Sequence, residues 1–365
     1  MRLRIVEILT NAFKPDVRVY KEAKYLIDKG YCVTILCWDR EEHDDLPSVE
    51  NVDGIEVIRF RFISPAGQKR RKWHFYKKYL SSCKKYLKNN DYDYIHCNDL
   101  SGAFVGLFAN AKKKPMVVDL HEVFETGGKI RRISIRFLLI HILKKSIAGL
   151  YENAFYLSDS YKKVRNKLYP LRNYPDSQMV RYMPKSSSSK FRVGFHGWIR
   201  TNMESFRILF DAVSSLNDVQ VDIHGGGPGL SQIKEWSKNC HNVIIHGPFD
   251  GTKELTSLYA NTDVVYCGYN KNDVNYQGDA EVVKFYESIV TGTPMIMTEG
   301  IGMGEKVSKN GYGVVCDTLN VNDVMESIIM LKDNKSFYNE CVKNELSDSY
   351  KYKWENAVRI LDKIY

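Results

Sequence analysis

Several residues in the second half of the chain have the type and spacing to handle a diphosphate. The helical stretch Glu281–Gly292 follows the loop Gln277–Asp279, so residues 279–283, Val282 and Val283 among them, offer the orphan N–H groups of a helix start, where anions bind. Lys284 lies one turn before Glu287 and suits phosphate as a point charge, while a carboxylate such as Glu287 can accept two hydroxyls at once. Asp279 serves either that site or the helix cap, and Glu281 competes with it as the acid of the loop. Arg200 follows the predicted strand Phe191–Phe195 and the turn His196–Gly197. Gly197 admits a close backbone approach, and the guanidinium offers a fork to phosphate oxygens. The run Gly225-Gly226-Gly227-Pro228-Gly229 either holds a base or ribose against bare backbone or is a tight strand-to-helix turn. Gly247–Phe249 reads more as an ordinary turn, and Gly300–Glu305 as either a phosphate or sugar cradle or a loose loop.

In the first half, His121 and Glu122 close the predicted strand Met116–Leu120, and Asn98 and Asp99 close another, where they could meet acceptor hydroxyls. No acidic pair typical of a divalent site is evident. The eight cysteines show no CxxC and no Cys/His zinc spacing, so we expect no metal and reduced thiols.

The elements that must position these residues alternate. Strands are expected at Arg4–Leu9, Tyr31–Cys37, Ile55–Phe60, Tyr94–Cys97, Met116–Leu120 and Ala154–Leu157, with a helix at Arg18–Lys29 closed by Gly30. A second series follows at Phe191–Phe195, Val219–His224, Val243–His246, Val264–Cys267, Pro294–Thr298 and Gly313–Cys316, with helices at Met203–Leu216 and Glu281–Gly292. Residues 170–190 hold three prolines and four consecutive serines, a linker composition. The expected organisation is a first domain 1–178, a linker 179–190, a second domain 191–347 and a final helix within 348–365. That helix either crosses back to the first lobe or packs on the second. Alternating βα order argues for two doubly wound parallel sheets with a cleft at the strand carboxyl ends.

The chain has 365 residues, 44% of them hydrophobic, which excludes disorder over most of its length. Residues 1–178 carry 33 Lys/Arg against 21 Asp/Glu, a net +12, and the remainder 20 against 23, a net −3. The opening run MRLRIVEILT is broken by Arg4 and Glu7 and reads as neither signal nor anchor, and no stretch approaches the ~20 apolar residues of a span.

Five segments together resemble the family-four retaining glycosyltransferases. The segment Asp279–Pro294 (DAEVVKFYESIVTGTP) is similar to that family's donor signature, with two acids eight positions apart and a helix ending in Gly-x-Pro. Asn11–Arg18 resembles the first βα loop, Asp119–Glu122 (DLHE) the fourth-strand motif with its His, Asn173–Asp176 the run into the linker, and Gly194–Arg200 the first donor-lobe loop. The resemblance implies the GT-B fold, an α/β architecture of two facing Rossmann-like domains. It implies that Glu287 binds the ribose, that His121 contacts the donor sugar near the reacting carbon, and that Asn11, Arg18 and Glu122 lie on the acceptor side. The chain departs from the pattern with Asp at 279, and with Asn202 and Met203 where a lysine commonly follows Arg200.

The basic segments read differently. Residues 57–90 and 126–151 contain no acid, and Lys69–Lys88 and Arg131–Lys145 interleave basic with aromatic and aliphatic residues, as on surfaces that dock on anionic membranes. No motif supports nucleic acid. The expectation is a metal-independent hexosyltransferase, without cofactor, in the cytoplasm on the inner face of the membrane. It would move a sugar from a UDP- or GDP-linked donor to a saccharide, in particular a lipid-linked one in surface polysaccharide assembly. The sequence sets no oligomeric state. The alternatives are a sugar-nucleotide 2-epimerase of the same fold and a non-catalytic membrane- or nucleic-acid-binding relative.

Overall fold

The computed structural model describes residues 2–14, 16–40, 46–63, 69–201, 203–273, 276 and 281–365, and the side chains of 69–72 lie outside that description. Two compact units emerge, Met1–Arg172 with Ala357–Tyr365, and Asn173–Asn356.

The first unit runs β1 (Arg4–Leu9), α1 (Val17–Asp28), β2 (Cys32–Asp39), β3 (Val49–Val52), β4 (Ile55–Arg61), α2 (Lys69–Asn89), β5 (Tyr94–Asn98), α3 (Asp99–Ala109), β6 (Met116–Leu120), α4 (Lys129–Lys145), β7 (Ala148–Tyr151) and β8 (Leu168–Pro170). The sheet order is β3-β4-β2-β1-β5-β6-β7-β8. All neighbours are parallel except β3 and β4. The inner strands β1 and β6 are buried almost throughout, as parallel strands covered on both faces require. The antiparallel edge is a hairpin on Asp53-Gly54, both at positive φ (51° and 92°), the pairing that a tight two-residue turn demands.

Two expectations need correction here. Ala154–Leu157 is a 3-10 turn rather than a strand, because Asn153 takes the Phe155 N–H at 2.8 Å and bends the chain, and the strand lies earlier, at Ala148–Tyr151. The last segment is not one helix. It is a 3-10 turn at Ser349–Tyr352, a short α-helix Trp354–Ala357 after extended Lys353, and a further 3-10 turn Val358–Lys363. Its final residues belong to the first unit: Asp362 accepts from Tyr25 Oη at 2.8 Å and pairs with Lys29 at 3.1 Å, and Tyr365 Oη meets His96 Nδ1 at 2.7 Å.

The second unit runs β9 (Phe191–His196), α5 (Glu204–Val213), β10 (Val219–His224), α6 (Leu230–Trp236), β11 (Val243–Gly247), α7 (Leu255–Ala260), β12 (Val264–Cys267), α8 (Val283–Thr291), β13 (Met295–Thr298), α9 (Gly302–Asn310), β14 (Gly313–Cys316), α10 (Val321–Asp333) and α11 (Lys335–Asp348). Its parallel sheet has the order β11-β10-β9-β12-β13-β14. The reversal of strand order at β9 and β12 is the switch point where ligands bind in such sheets. The segment read as a linker is part of this unit. Val180 is buried in its core, Ser186 N–H bonds the Ala260 carbonyl at 2.9 Å, and Lys185 Nζ reaches Tyr259 O at 3.0 Å. Proline and serine bar helix and strand but not packing.

Candidate functional site

In the second unit the residues expected to grip phosphate converge from two strands. The loop after β9 carries Gly197 and Arg200, and α8 carries Lys284 and Glu287. A Cβ built on Gly197 would lie 2.8 Å from Lys284 Nζ, so the ammonium sits against that loop's bare backbone. It also stands 4.3 Å over the Phe195 ring, and among the described residues no carboxylate pairs with it. Burial pushes the Lys284 ammonium below the usual lysine range. An anion arriving there would find a positive charge with little water around it.

The glycine run braces a neighbouring loop. A Cβ on Gly225 would come within 1.9 Å of the Gly197 carbonyl oxygen, and one on Gly227 within 2.3 Å of the Ile199 carbonyl oxygen. Gly197 N–H bonds the His224 carbonyl at 2.9 Å, and Ile199 N–H bonds the Gly226 carbonyl at 2.8 Å. Gly225 and Gly227 therefore let two loops lie backbone to backbone, with the Gly226 carbonyl taking one of the bonds between them, and so hold Gly197 and Arg200 in place.

Arg200 is half exposed, 5.7 Å from the Tyr276 ring centroid and 3.8 Å from Asp273. It borders a pocket of about 300 Å³ lined also by Glu204, Tyr269, Asn270 and Asp273. Glu287 is buried, and its Oε2 accepts from Tyr259 Oη at 2.8 Å. Val282 caps α8 in extended conformation, followed by Val283; its N–H meets Met303 Sδ at 3.4 Å, a weak acceptor. Gly292 ends α8 in left-handed conformation, as the Gly-x-Pro reading required. Glu281 is corrected: its carboxylate is occupied by Lys306 Nζ at 2.6 Å and Tyr286 Oη at 2.5 Å, a brace between α8 and α9. Asp279, its competitor, lies outside the described residues.

In the first unit the motif residues meet in a buried charge cluster. Arg18 forks onto Asp119 with two 2.8 Å bonds, reaches Glu152 at 2.6 Å and the Leu171 carbonyl at 3.0 Å, and stands 3.0 Å from Glu22. Asp119 Oδ2 in turn holds His121 Nε2 at 2.7 Å. Burial opposes the charge on Asp119, but Arg18 and His121 keep its carboxyl well below the usual range. Burial alone would lower His121; Asp99 and Asp119 outweigh it and lift the imidazole to about 10. His121 is thus an imidazolium at neutral pH, still 17% exposed and able to reach a ligand.

Two acceptor-side expectations are corrected by this geometry. Arg18 is 4% exposed and makes four hydrogen bonds within the cluster, so it serves to align Asp119 rather than standing open at a surface. Asn98 is buried, with Nδ2 3.5 Å from Glu7. Burial drives the Glu7 carboxyl up to about 8. Asn11 is half-buried and spends its side chain on Asp16 (3.0 Å) and the Phe13 N–H (2.9 Å), shaping the β1–α1 loop. Asp99, at φ 62°, accepts the His121 N–H at 3.2 Å, and the Glu122 side chain is exposed.

Ligand atoms of Glu22, Asp119 and His121 lie within 4.8 Å of one another. A cation could span them, but the Arg18 guanidinium already supplies the positive charge there and would repel a second. Sequence reasoning missed Glu22, Glu152 and Tyr259. The spacing of Arg18 and Glu22 by four on a helix is a pairing signal; the other two have none.

Two doubly wound units, with a cationic helix start at the switch point of the second, describe a GT-B glycosyltransferase. Residues 16–159 match the family described as Glycosyltransferase Family 4, and residues 200–347 that described as Glycosyl transferases group 1. The chain belongs to the GT-B glycosyltransferases of the family-four type. An uncharacterised glycosyltransferase of Methanocaldococcus jannaschii is 22% identical, matching 88% of this chain and 87% of its own. Sucrose-phosphate synthase of Thermosynechococcus elongatus superposes with a TM-score of 0.73 at 15% identity, covering 100% of this chain and 98% of that one. Anabaena HepE, solved in complex with UDP and glucose, gives 0.71 at 14%, with 98% of each chain covered.

Proposed function

We propose that the protein transfers a hexose, with retention at the anomeric carbon, from a nucleoside-diphosphate sugar to an acceptor hydroxyl. The observation that carries this reading is the seating of Lys284 Nζ against Gly197, which joins the β9 loop to the start of α8 in one anion-binding corner. There Lys284, Arg200 and the N–H groups at the start of α8 meet the diphosphate. As the glycosidic bond breaks they stabilise the charge gathering on the departing phosphate, electrostatics doing this without a metal or cofactor. Glu287 takes the ribose hydroxyls. His121, a cation held by Asp119, steadies the sugar. The departing phosphate oxygen takes the acceptor's proton. A UDP-linked donor is favoured by the likeness to HepE, whose structure holds UDP and glucose.

The Glu287→Gln variant should bind UDP roughly 10–100-fold more weakly, the loss expected for hydrogen bonds to a charged group. Calorimetry with UDP, GDP, ADP, CMP and dTDP measures this and identifies the base; equal affinity of wild type and variant refutes the placement of the ribose.

The acceptor side of this reading is a lipid-linked saccharide of surface polysaccharide assembly, met at the inner face of the cell membrane. On α4, Ile130 (85% exposed) and Phe137 (70% exposed) stand beside Lys129, Arg131 and Arg132. On α2 and α3, Trp73 and Phe108 are each 52% exposed and linked through Phe104. Exposed apolar side chains grouped among basic ones mark candidate interaction surfaces, and each basic residue near anionic lipid adds ~1 kcal/mol. Among the described residues no helix is long and apolar enough to cross a membrane. Binding to phosphatidylglycerol-containing vesicles should fall steeply as salt rises and largely vanish in an Ile130→Ser/Phe137→Ser variant. Flotation insensitive to both changes would remove the membrane claim.

A further inference from the structure

A carboxylate that must present itself to a ribose has to be buried without being neutralised, and it has to be aimed. Glu287 is 7% exposed on α8 and has three side-chain torsions to fix. Tyr259, on α7 and 1% exposed, donates its hydroxyl to Glu287 Oε2 at 2.8 Å. Tyrosine suits such aiming because its hydroxyl sits at the end of a rigid ring with only two torsions to order. Burial and the neighbouring carboxylate push the phenol well above its usual range, so it remains a donor at any working pH.

The same ring touches the other half of the anion corner. It lies edge-on to His196 (5.0 Å, 64°), the last residue of β9 before Gly197 and Arg200. From the other side Lys185 holds the tyrosine's backbone: Nζ bonds Tyr259 O at 3.0 Å and Thr293 Oγ1 at 2.5 Å. Thr293 follows the left-handed Gly292 that ends α8, so one ammonium ties the end of α7 to the end of α8. The packed 173–190 segment thereby fixes the spacing across which Tyr259 reaches Glu287.

We propose that Tyr259 is a positioning residue that presets Glu287 for the ribose of the donor nucleotide, with Lys185 setting the spacing between the two helices that carry them. The proposal rests on the nucleotide reading of Glu287.

The test uses the full chain and calorimetry with UDP and 2′,3′-dideoxyuridine diphosphate, which lacks the ribose hydroxyls. Tyr259→Phe keeps the ring and removes only the hydroxyl. It should weaken UDP roughly tenfold while leaving the dideoxy nucleotide bound as in wild type. In the double variant Tyr259→Phe/Glu287→Gln, the tyrosine change should add nothing to the loss caused by Glu287→Gln alone, because both act through one contact. Equal weakening of both nucleotides would mean a structural role and overturn the proposal, as would unchanged UDP affinity or losses that simply add. If wild type bound UDP and its dideoxy analogue equally well, the nucleotide reading of Glu287 itself would fall, an outcome recognisable without any tyrosine variant.

Discussion

Arg18→Met should lower stability by about 3–5 kcal/mol at pH 7.5, the cost of leaving buried carboxylates without their cation. Arg18 binds Asp119 twice and also holds Glu22, Glu152 and the Leu171 carbonyl, all in a setting where Glu7 already rises to about 8 for want of solvent. Without the guanidinium, Asp119 keeps, among the described residues, only His121 as a close positive partner. The pH dependence follows with its sign. Asp119 is held below its unfolded value, so its contribution is present above the unfolded pKa and is lost as pH falls through the folded one. The variant has lost that contribution at neutral pH, so the gap between it and wild type should hold down to about pH 4 and narrow only below it, as Asp119 is protonated. Urea midpoints at about pH 7.5 and pH 3 measure it. Arg18→Lys is the control: it keeps the charge but not the fork, and should recover only part of the loss. Wild-type stability in Arg18→Met would mean the cluster is not what holds this part of the fold.

Lys284→Met should lower turnover by about two to three orders of magnitude, the typical effect of removing one preorganised donor to a developing anion. The ammonium rests on the Phe195 ring, and phosphate need displace no carboxylate of the described residues to reach it. The methionine preserves the apolar contact, and melting curves should stay close to wild type. Arg200→Met should cost less, because the guanidinium is half exposed and water can replace part of its role. Sugar-transfer rates at saturating donor give the answer. A Lys284→Met enzyme within threefold of wild type in kcat would disconnect this lysine from the departing group.

Strands β1, β2, β4, β5 and β6 of the first sheet and the strands of the second were legible because buried parallel strands write runs of Val, Ile and Leu, and Gly292 marked the end of α8 through its need for a left-handed residue. Lys284 and Glu287 could be placed on α8 from spacing alone. The β3 hairpin was missed although Asp53-Gly54 announces it, because an edge strand reading Val-Glu-Asn-Val buries little and shows no core pattern. An apolar run does not tell strand from turn, and Ala154–Leu157 fell on the wrong side. Arg18 was placed on a ligand because its partners Asp119, Glu152 and Leu171 lie over a hundred residues away, where no local rule reaches. Tyr259 looks like any core tyrosine until its hydroxyl is followed to Glu287.

The return of residues 357–365 to the first unit makes that unit discontinuous along the chain, while the second is one unbroken stretch. On the ribosome the unit begun first is therefore completed last, against the usual vectorial order. Asp362 and Tyr365 reach their partners Tyr25, Lys29 and His96 only after everything between them has emerged. A cut between residues 172 and 173 would separate the first unit from its own closing piece, and expressing residues 1–172 alone would leave His96 without the hydroxyl it meets in the complete fold.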